Sequence, residues 1–312
     1  MEIYFAPLQG FTDFVYRNFH AKYFSGVDKY FTPFLRVEKN DVRKKDKADL
    51  INSLSLFKSS DSGIELVPQI IVNCREDVEI LVQFVGNQGF KACDLNFGCP
   101  FPQQSHHFYG AGIWDKPEKV CEVFEALKLF PEISFSLKMR LGNTSLSQTV
   151  DLLDVINSAD FRFVTVHPRL AKQMYSGEID FQGFEVLYSK IKKPIVFNGD
   201  LLSVQDIEAV EKKYPDLKAV MIGRGLLRNP FLAENFKNKN STFDKQRFLN
   251  FQNALIEGYL AQYQNSEFMV LDKMKTFWQF SDADSKMLKR IKKAKSISEY
   301  ISFSAMAVSE KK

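Results

Sequence analysis

Over the first two-thirds of the chain, short runs rich in β-branched and aromatic residues alternate with longer stretches whose apolar residues recur at helical spacing. The strand-like runs are Ile3–Ala6, Lys29–Phe34, Leu66–Val72, Ala92–Asn96, Ser134–Lys138, Phe163–His167, Ile195–Asn198 and Ala219–Ile222. Between them, Asp77–Asn87, Pro117–Leu129, Thr149–Asn157 and Val204–Lys213 are amphipathic, with helix-start signals at Pro117 and Ser203. Strands and helices in strict alternation predict an α/β fold, a (β/α)8 barrel of the TIM type. A doubly wound open sheet is the alternative, but no G-x-G-x-x-G follows an early strand.

After Pro230 the strand period disappears. Phe248–Leu260 and Met269–Phe280 carry apolar residues at helical spacing, so the chain is expected to end in a helical domain. Residues 1–238 then form the barrel and 239–312 the helical unit, with polar Asn238–Thr242 at the join.

Composition changes this picture little. The 312 residues suit one large domain and a smaller one. No apolar run approaches the roughly 20 residues that span a bilayer, so no membrane association is expected. The start Met1-Glu2-Ile3-Tyr4-Phe5 lacks the basic region of a signal peptide, and a cytoplasmic monomer is expected. Cys74, Cys93, Cys99 and Cys121 form no C-x2-C pair, which argues against a metal site or disulfide framework. Cys74, Cys93 and Cys121 read as small buried hydrophobes. A net charge of +4 does not by itself signal a polyanionic partner. The run Lys286–Lys295 holds six basic residues and no acid, which suits a solvated helix face or a surface that tracks phosphates.

Chemistry on such a barrel sits at the carboxyl ends of the strands. There the chain repeatedly places polar residues and glycines: Ala6-Pro7-Leu8-Gln9-Gly10, Pro68-Gln69, Asp94-Leu95-Asn96-Phe97-Gly98-Cys99-Pro100, Lys138-Met139-Arg140, His167-Pro168-Arg169, Asn198-Gly199-Asp200 and Gly223-Arg224-Gly225. The last two clusters follow strands seven and eight, where glycines let backbone N–H groups approach a phosphate. Asn198, Gly199, Asp200, Gly223 and Arg224 therefore suggest a cup for a phosphorylated cofactor, with Arg224 supplying charge.

Lys138 emerges from an otherwise apolar strand toward the centre of this ring. A buried lysine needs an anionic partner. The N1–C2=O edge of a reduced flavin is one, because negative charge develops there. Gln69 can bond the rim of such a ring system, and His167 is placed to reach ring or phosphate, though a satisfied core histidine is its ordinary role. Cys99, between Gly98 and Pro100, is expected on an exposed sharp turn, where a mostly protonated thiol can donate a proton. The segment Phe101 to Gly112, with His106, His107, Tyr109 and Gly110-Ala111-Gly112, reads as a mobile lid.

In order and spacing, these motifs resemble the tRNA-dihydrouridine synthase family over nearly the whole chain. The matching segments are Ala6-Pro7-Leu8-Gln9-Gly10-Phe11-Thr12-Asp13, Pro68-Gln69, Asp94 to Pro100, Lys138-Met139-Arg140-Leu141-Gly142, Val166-His167-Pro168-Arg169, Asn198-Gly199-Asp200 and Met221-Ile222-Gly223-Arg224-Gly225. The resemblance implies FMN as cofactor, NADPH or NADH as electron donor, and uridine in the D-loop or elbow of tRNA as substrate. It implies hydride delivery from flavin N5 to C6 of the uracil, with Cys99 protonating C5. It also implies that Pro7, Leu8, Gln9, Gln69, Lys138, His167, Asn198, Gly199, Asp200, Gly223 and Arg224 bind FMN, and that Asn96, Arg169 and Tyr175 contact the target nucleotide. Pro102, Gln103 and Gln104 stand where the family usually carries a basic residue and a valine, and His167-Pro168-Arg169 replaces the commoner His-Gly-Arg. Tyr30–Val37, with Thr32, Phe34 and Arg36, and Met274–Phe280 look most like the bacterial C-type subfamily, which modifies D-loop position 16. Two other functions compete: an FMN barrel acting on a small molecule, such as a dihydroorotate or dihydropyrimidine dehydrogenase, and an RNA-binding protein that has lost catalysis.

Overall fold

The computed structural model describes residues 1–59, 63–240 and 242–309. Nine short strands form one wholly parallel sheet: β1 (Glu2–Phe5), β2 (Lys29–Phe31), β3 (Glu65–Val67), β4 (Gln69–Ile70), β5 (Ala92–Phe97), β6 (Ser134–Arg140), β7 (Phe161–His167), β8 (Ile195–Asn198) and β9 (Ala219–Ile222). Their order is β3-β2-β1-β9-β8-β7-β6-β5-β4. The two ends of that list are consecutive pieces of chain separated by Pro68, so the ring closes through a single split strand. Proline lacks the N–H a ladder needs, which breaks the strand at that residue. Its carbonyl still accepts from the Asp94 N–H at 2.9 Å and ties the seam. The result is the expected (β/α)8 barrel.

Alternation along the strands sorts the side chains. Tyr4, Ala6, Phe31, Val67, Ala92, Phe163, Val196, Ala219 and Met221 fill the interior as a cluster of their own. The opposite phase, including Phe5, Leu95, Phe97, Leu137, Met139, Val164 and Val166, joins the surrounding helices in the larger core. Toward the carboxyl end the interior positions become polar: Gln69, Asp94, Asn96, Ser136, Lys138, Thr165, His167 and Asn198. The opposite end is sealed by Glu65, which pairs with Lys29 and with Arg162 at 2.8 Å, and by Glu2, which accepts from the Tyr4 hydroxyl at 2.6 Å. The polarity of the inner face therefore sets which mouth is open.

The helix expected over Thr149–Asn157 is two short ones, Ser147–Val150 and Leu153–Ser158. The Thr149 hydroxyl bonds the Leu141 and Leu146 carbonyls, an alternative to continuing the helix.

Six further helices matter for the site. α1 (Phe14–Tyr23) follows β1, and α2 (Arg224–Arg228) follows β9. After residue 240 come α3 (Lys245–Gln262), α4 (Glu267–Phe277), α5 (Ser285–Lys293) and, last, α6 (Ile297–Ser309), with no strand among the described residues there. α3 and α4 pack on α1 through Tyr16 against Phe251 and Phe277, at 5.6 and 4.9 Å between ring centroids. Asp13 accepts from the Tyr259 hydroxyl at 2.8 Å and pairs with Lys273 at 2.8 Å, so α3 and α4 are fastened beside the open mouth. On α5, Met287 and Ile291 turn inward while Lys286, Lys289, Arg290, Lys292 and Lys293 are exposed. No helix of the described residues is long and apolar enough to cross a membrane.

Candidate active site

The open mouth holds a cavity of about 980 Å³. Pro7, Leu8, Gln9, Gln69, Asn96, Cys99, Lys138, His167, Tyr175, Asn198, Gly199, Asp200, Gly223 and Arg224 all line it, so the structure gathers residues from seven strand ends into one space. Arg169 is the exception. Its side chain is buried behind the wall, where it donates to the Gly177 carbonyl at 2.7 Å and grips Asp200.

Cys99 is not exposed as its turn position suggests. It is 8% accessible and opens only on the cavity. Burial pushes its thiol above the ordinary value, against the pull of the Phe101 N–H, Arg140 and Lys138. Asn96 holds the turn: its Oδ1 accepts from the Gly98 and Cys99 N–H groups at 3.1 and 2.8 Å. Of the other cysteines, Cys93 is buried as expected, but Cys74 is half-buried beside a helix start and Cys121 is exposed on a helix.

The segment after Cys99 is also more fixed than a mobile lid. Gly110, Ala111, Gly112, Ile113 and Trp114 are buried in a 3-10 helix. The Ala111 N–H donates to the Cys99 carbonyl at 3.0 Å, and the Trp114 indole donates to the Phe97 carbonyl at 2.9 Å. A Cβ on Gly112 would lie 2.1 Å from the Ser105 carbonyl oxygen. These glycines mark close packing of backbone on backbone. His106 and His107 are exposed and do not reach the cavity.

Four cations surround His167. His167 is held neutral by its burial and by Arg140, Lys138, Arg169 and Arg224 around it. Arg169 Nη1 lies 3.2 Å from His167 Nε2. A guanidinium only donates, so Nε2 accepts and the ring proton sits on Nδ1. Burial and then Arg140 push Lys138 down to about 8, with Asp94 and Cys99 opposing. Its Nζ makes no hydrogen bond to any described residue. Asp200 adopts a left-handed backbone, φ 43°, between Arg169 and Arg224, which overcome the burial penalty and hold its carboxyl below its usual value. Arg224, expected to face a phosphate, is thus paired with Asp200 in this structure. At the mouth Tyr175, 44% exposed, lies between Arg140 and Arg224, 5.1 and 5.5 Å from its ring centroid, with Phe101 6.3 Å away.

Two residues given no role from the sequence belong to this site. Arg140 lines the cavity and donates to the Gly98 carbonyl at 3.0 Å, bracing the cysteine turn. It stands two positions after Lys138 on β6, so strand alternation was the available signal. Asp94 lies beneath, wholly buried, and burial pushes its carboxyl up to about 7 against Ser136, Gln69 and Lys138. Arg43, Lys45 and Asp46 complete one wall with Arg36. Arg36 and Arg43 flank a short hairpin after β2, and Lys45 and Asp46 begin the helix Lys44–Ser59; no motif announces Arg43, Lys45 or Asp46.

The residues fit an anionic, phosphorylated planar cofactor. An ammonium without a protein partner faces the cavity, and after β8 and β9 the backbone of Gly199 and Gly223 lines it at positions where a side chain would crowd its neighbours. A Cβ on Gly199 would come 2.8 Å from Ile179 Cδ1, and one on Gly223 3.3 Å from Leu8 Cδ1. Barrel, rim cavity and buried titratable groups together define an enzyme of the (β/α)8 class.

A model of the dihydrouridine synthase family matches residues 4–308. The chain is 27% identical over 241 residues to the tRNA-dihydrouridine(16) synthase of Neisseria meningitidis serogroup B, covering 75% of this chain and 71% of that one. It is 25% identical over 232 residues to tRNA-dihydrouridine synthase B of Pasteurella multocida, covering 74% and 67%. Among solved structures, morphinone reductase shares the fold with a TM-score of 0.58 at 12% identity, over 79% of this chain and 88% of that one. The chain belongs to the dihydrouridine synthase family, and it is an enzyme.

Proposed function

We propose that this enzyme reduces the C5=C6 bond of uridine in the D-loop of tRNA, with FMN as cofactor and NADPH or NADH as electron donor. The observation that carries this reading is a protonated thiol, Cys99, opening on the same cavity as the partnerless ammonium of Lys138. FMN held here, once reduced by the nicotinamide donor, would supply a hydride to C6 of the uracil. Cys99 donates its Sγ proton to C5, so the π bond is replaced by two C–H bonds and the thiolate regains its proton from solvent. Lys138 and Gln69 hold the acceptor-rich edge of the cofactor, and Gly199 and Gly223 admit its phosphate. Phe101 and Tyr175, both exposed at the mouth, offer faces on which an extruded base stacks, offsetting the few kcal/mol of unstacking. Arg169 acts from behind by fixing Asp200 and His167. Position 16 is favoured by the name of the Neisseria relative. Residues 239–312 form the tRNA-binding unit of a monomeric cytoplasmic enzyme, with the exposed lysines of α5 meeting phosphates.

Mapping dihydrouridine in tRNA from cells lacking the protein tests the reaction. Loss at position 16 alone is the expected result; equal turnover of free uracil or dihydroorotate by the purified enzyme would move the reading to a small-molecule reductase. The α5 surface has its own check. The Lys289→Glu, Lys293→Glu double variant is expected to raise the KM for tRNA about tenfold and to flatten its salt dependence. Flavin reduction by the nicotinamide donor should be unchanged, as stopped-flow absorbance would record.

A further inference from the structure

A single file of buried hydrogen bonds runs under the rim. Asp94 Oδ1 accepts from the Ser136 hydroxyl at 2.5 Å, and its Oδ2 accepts from Gln69 Nε2 at 2.7 Å. Gln69 Oε1 accepts from Asn96 Nδ2 at 2.8 Å. Asn96 Oδ1 accepts from the N–H groups of Gly98 and Cys99. Strand register puts these groups side by side: Gln69 opposite Asp94, and Asp94 opposite Ser136.

The file has a compulsory direction. With Asp94 ionised, as it is above about 7, the carboxylate only accepts, so Gln69 must turn its NH2 to Asp94 and its oxygen to Asn96. Asn96 must then give its NH2 to Gln69 and its oxygen to the cysteine turn. Each amide keeps one N–H unused, and both side chains line the cavity. Without the acid, either amide could reverse, and the turn N–H groups would face a second donor.

We propose that Asp94 is a positioning residue: through Gln69 and Asn96 it sets which way both amides face, so that these two side chains turn their free N–H groups to the cavity and the Cys99 turn is held in place. The proposal rests on the reading of this cavity as the flavin and uracil site. A donor-only edge, with Lys138 beside it, selects the carbonyl-rich edge of a ring over an amino-bearing one. This specifies the face of the ligand that meets β4 and β5.

The test compares the Asp94→Ala and Asp94→Asn proteins with the parent. Cys99 alkylation by iodoacetamide is measured in the flavin-free protein, resolved from Cys74 and Cys121 by peptide mass spectrometry. The visible flavin spectrum and dihydrouridine formation are measured in the holoenzyme. Alanine is expected to speed Cys99 alkylation about fivefold, shift the flavin bands and lower kcat for tRNA about tenfold. Asparagine can still accept from Gln69 while donating to Ser136, so it should restore all three readouts to within about threefold. An alanine protein with parental alkylation and spectrum would overturn the proposal, as would an asparagine protein no better than alanine. Should Asp94→Ala not fold, Gln69→Leu cuts the same file one residue later, and unchanged Cys99 alkylation in it would be equally fatal. The alkylation arm needs no flavin, so its outcome is separate from the fate of the proposed reaction.

Discussion

The Cys99→Ala protein is expected to bind FMN and oxidise the nicotinamide donor normally while dihydrouridine formation falls about 10²- to 10⁴-fold, the usual worth of a positioned general acid. The argument starts from burial. Removal from water disfavours the thiolate, and the Arg140 and Lys138 charges only partly offset this, so the thiol keeps its proton beyond the ordinary thiol value of 9.0. The sign follows: the proton is present at all lower pH and is lost as pH rises through the raised value. Dihydrouridine formation by the parent kept saturated with flavin should therefore hold through pH 9 and decline only above it. A serine at this position is too weak an acid to substitute. Mass spectrometry of the tRNA nucleosides, run beside donor oxidation, separates the two half-reactions. Full turnover by Cys99→Ala would remove this residue from the mechanism.

Lys138→Ala should lose bound flavin more severely than any other single change in the rim, by about 10- to 100-fold in affinity, the worth of a hydrogen bond to a charged group. Of the four cations around His167, Lys138 alone has no carboxylate or carbonyl partner among the described residues, whereas Arg169 and Arg224 share Asp200 and Arg140 bonds the Gly98 carbonyl. Its charge is full below about 8 and disappears as pH rises through that value. FMN affinity of the parent apoprotein should weaken over the same interval, and this dependence should be absent in Lys138→Ala. Flavin fluorescence titration reads both. Equal flavin content and a parental reduction rate in the variant would displace Lys138 from the cofactor.

The barrel was legible because its signals are local. Val204–Lys213 and β8 and β9 fall on the residues expected, since alternation, β-branching and a Ser203 cap act within a few residues. The site was legible for a related reason: polar residues at successive strand ends share the inward phase. What depends on the third dimension was misread. Gly110-Ala111-Gly112 suggested flexibility, yet the glycines are there because Cys99 and Ser105 leave no room for a side chain. Arg169 follows His167 at a strand end as Arg140 follows Lys138, but the chain turns at Pro168 and carries its guanidinium behind the wall. Asp94 was visible only as a letter in a motif, because its worth lies in partners 25 and 42 residues away.

Closing the ring through a strand broken at Pro68 makes Gln69 a structural weld as well as a rim group. It is the first residue past the break, and its side chain and the Pro68 carbonyl both clasp Asp94 across the join. Breathing of the cylinder at this join would be transmitted through Asn96 to the Cys99 turn. Selection for a stiffer protein and selection for a better-aimed proton therefore act on the same few atoms.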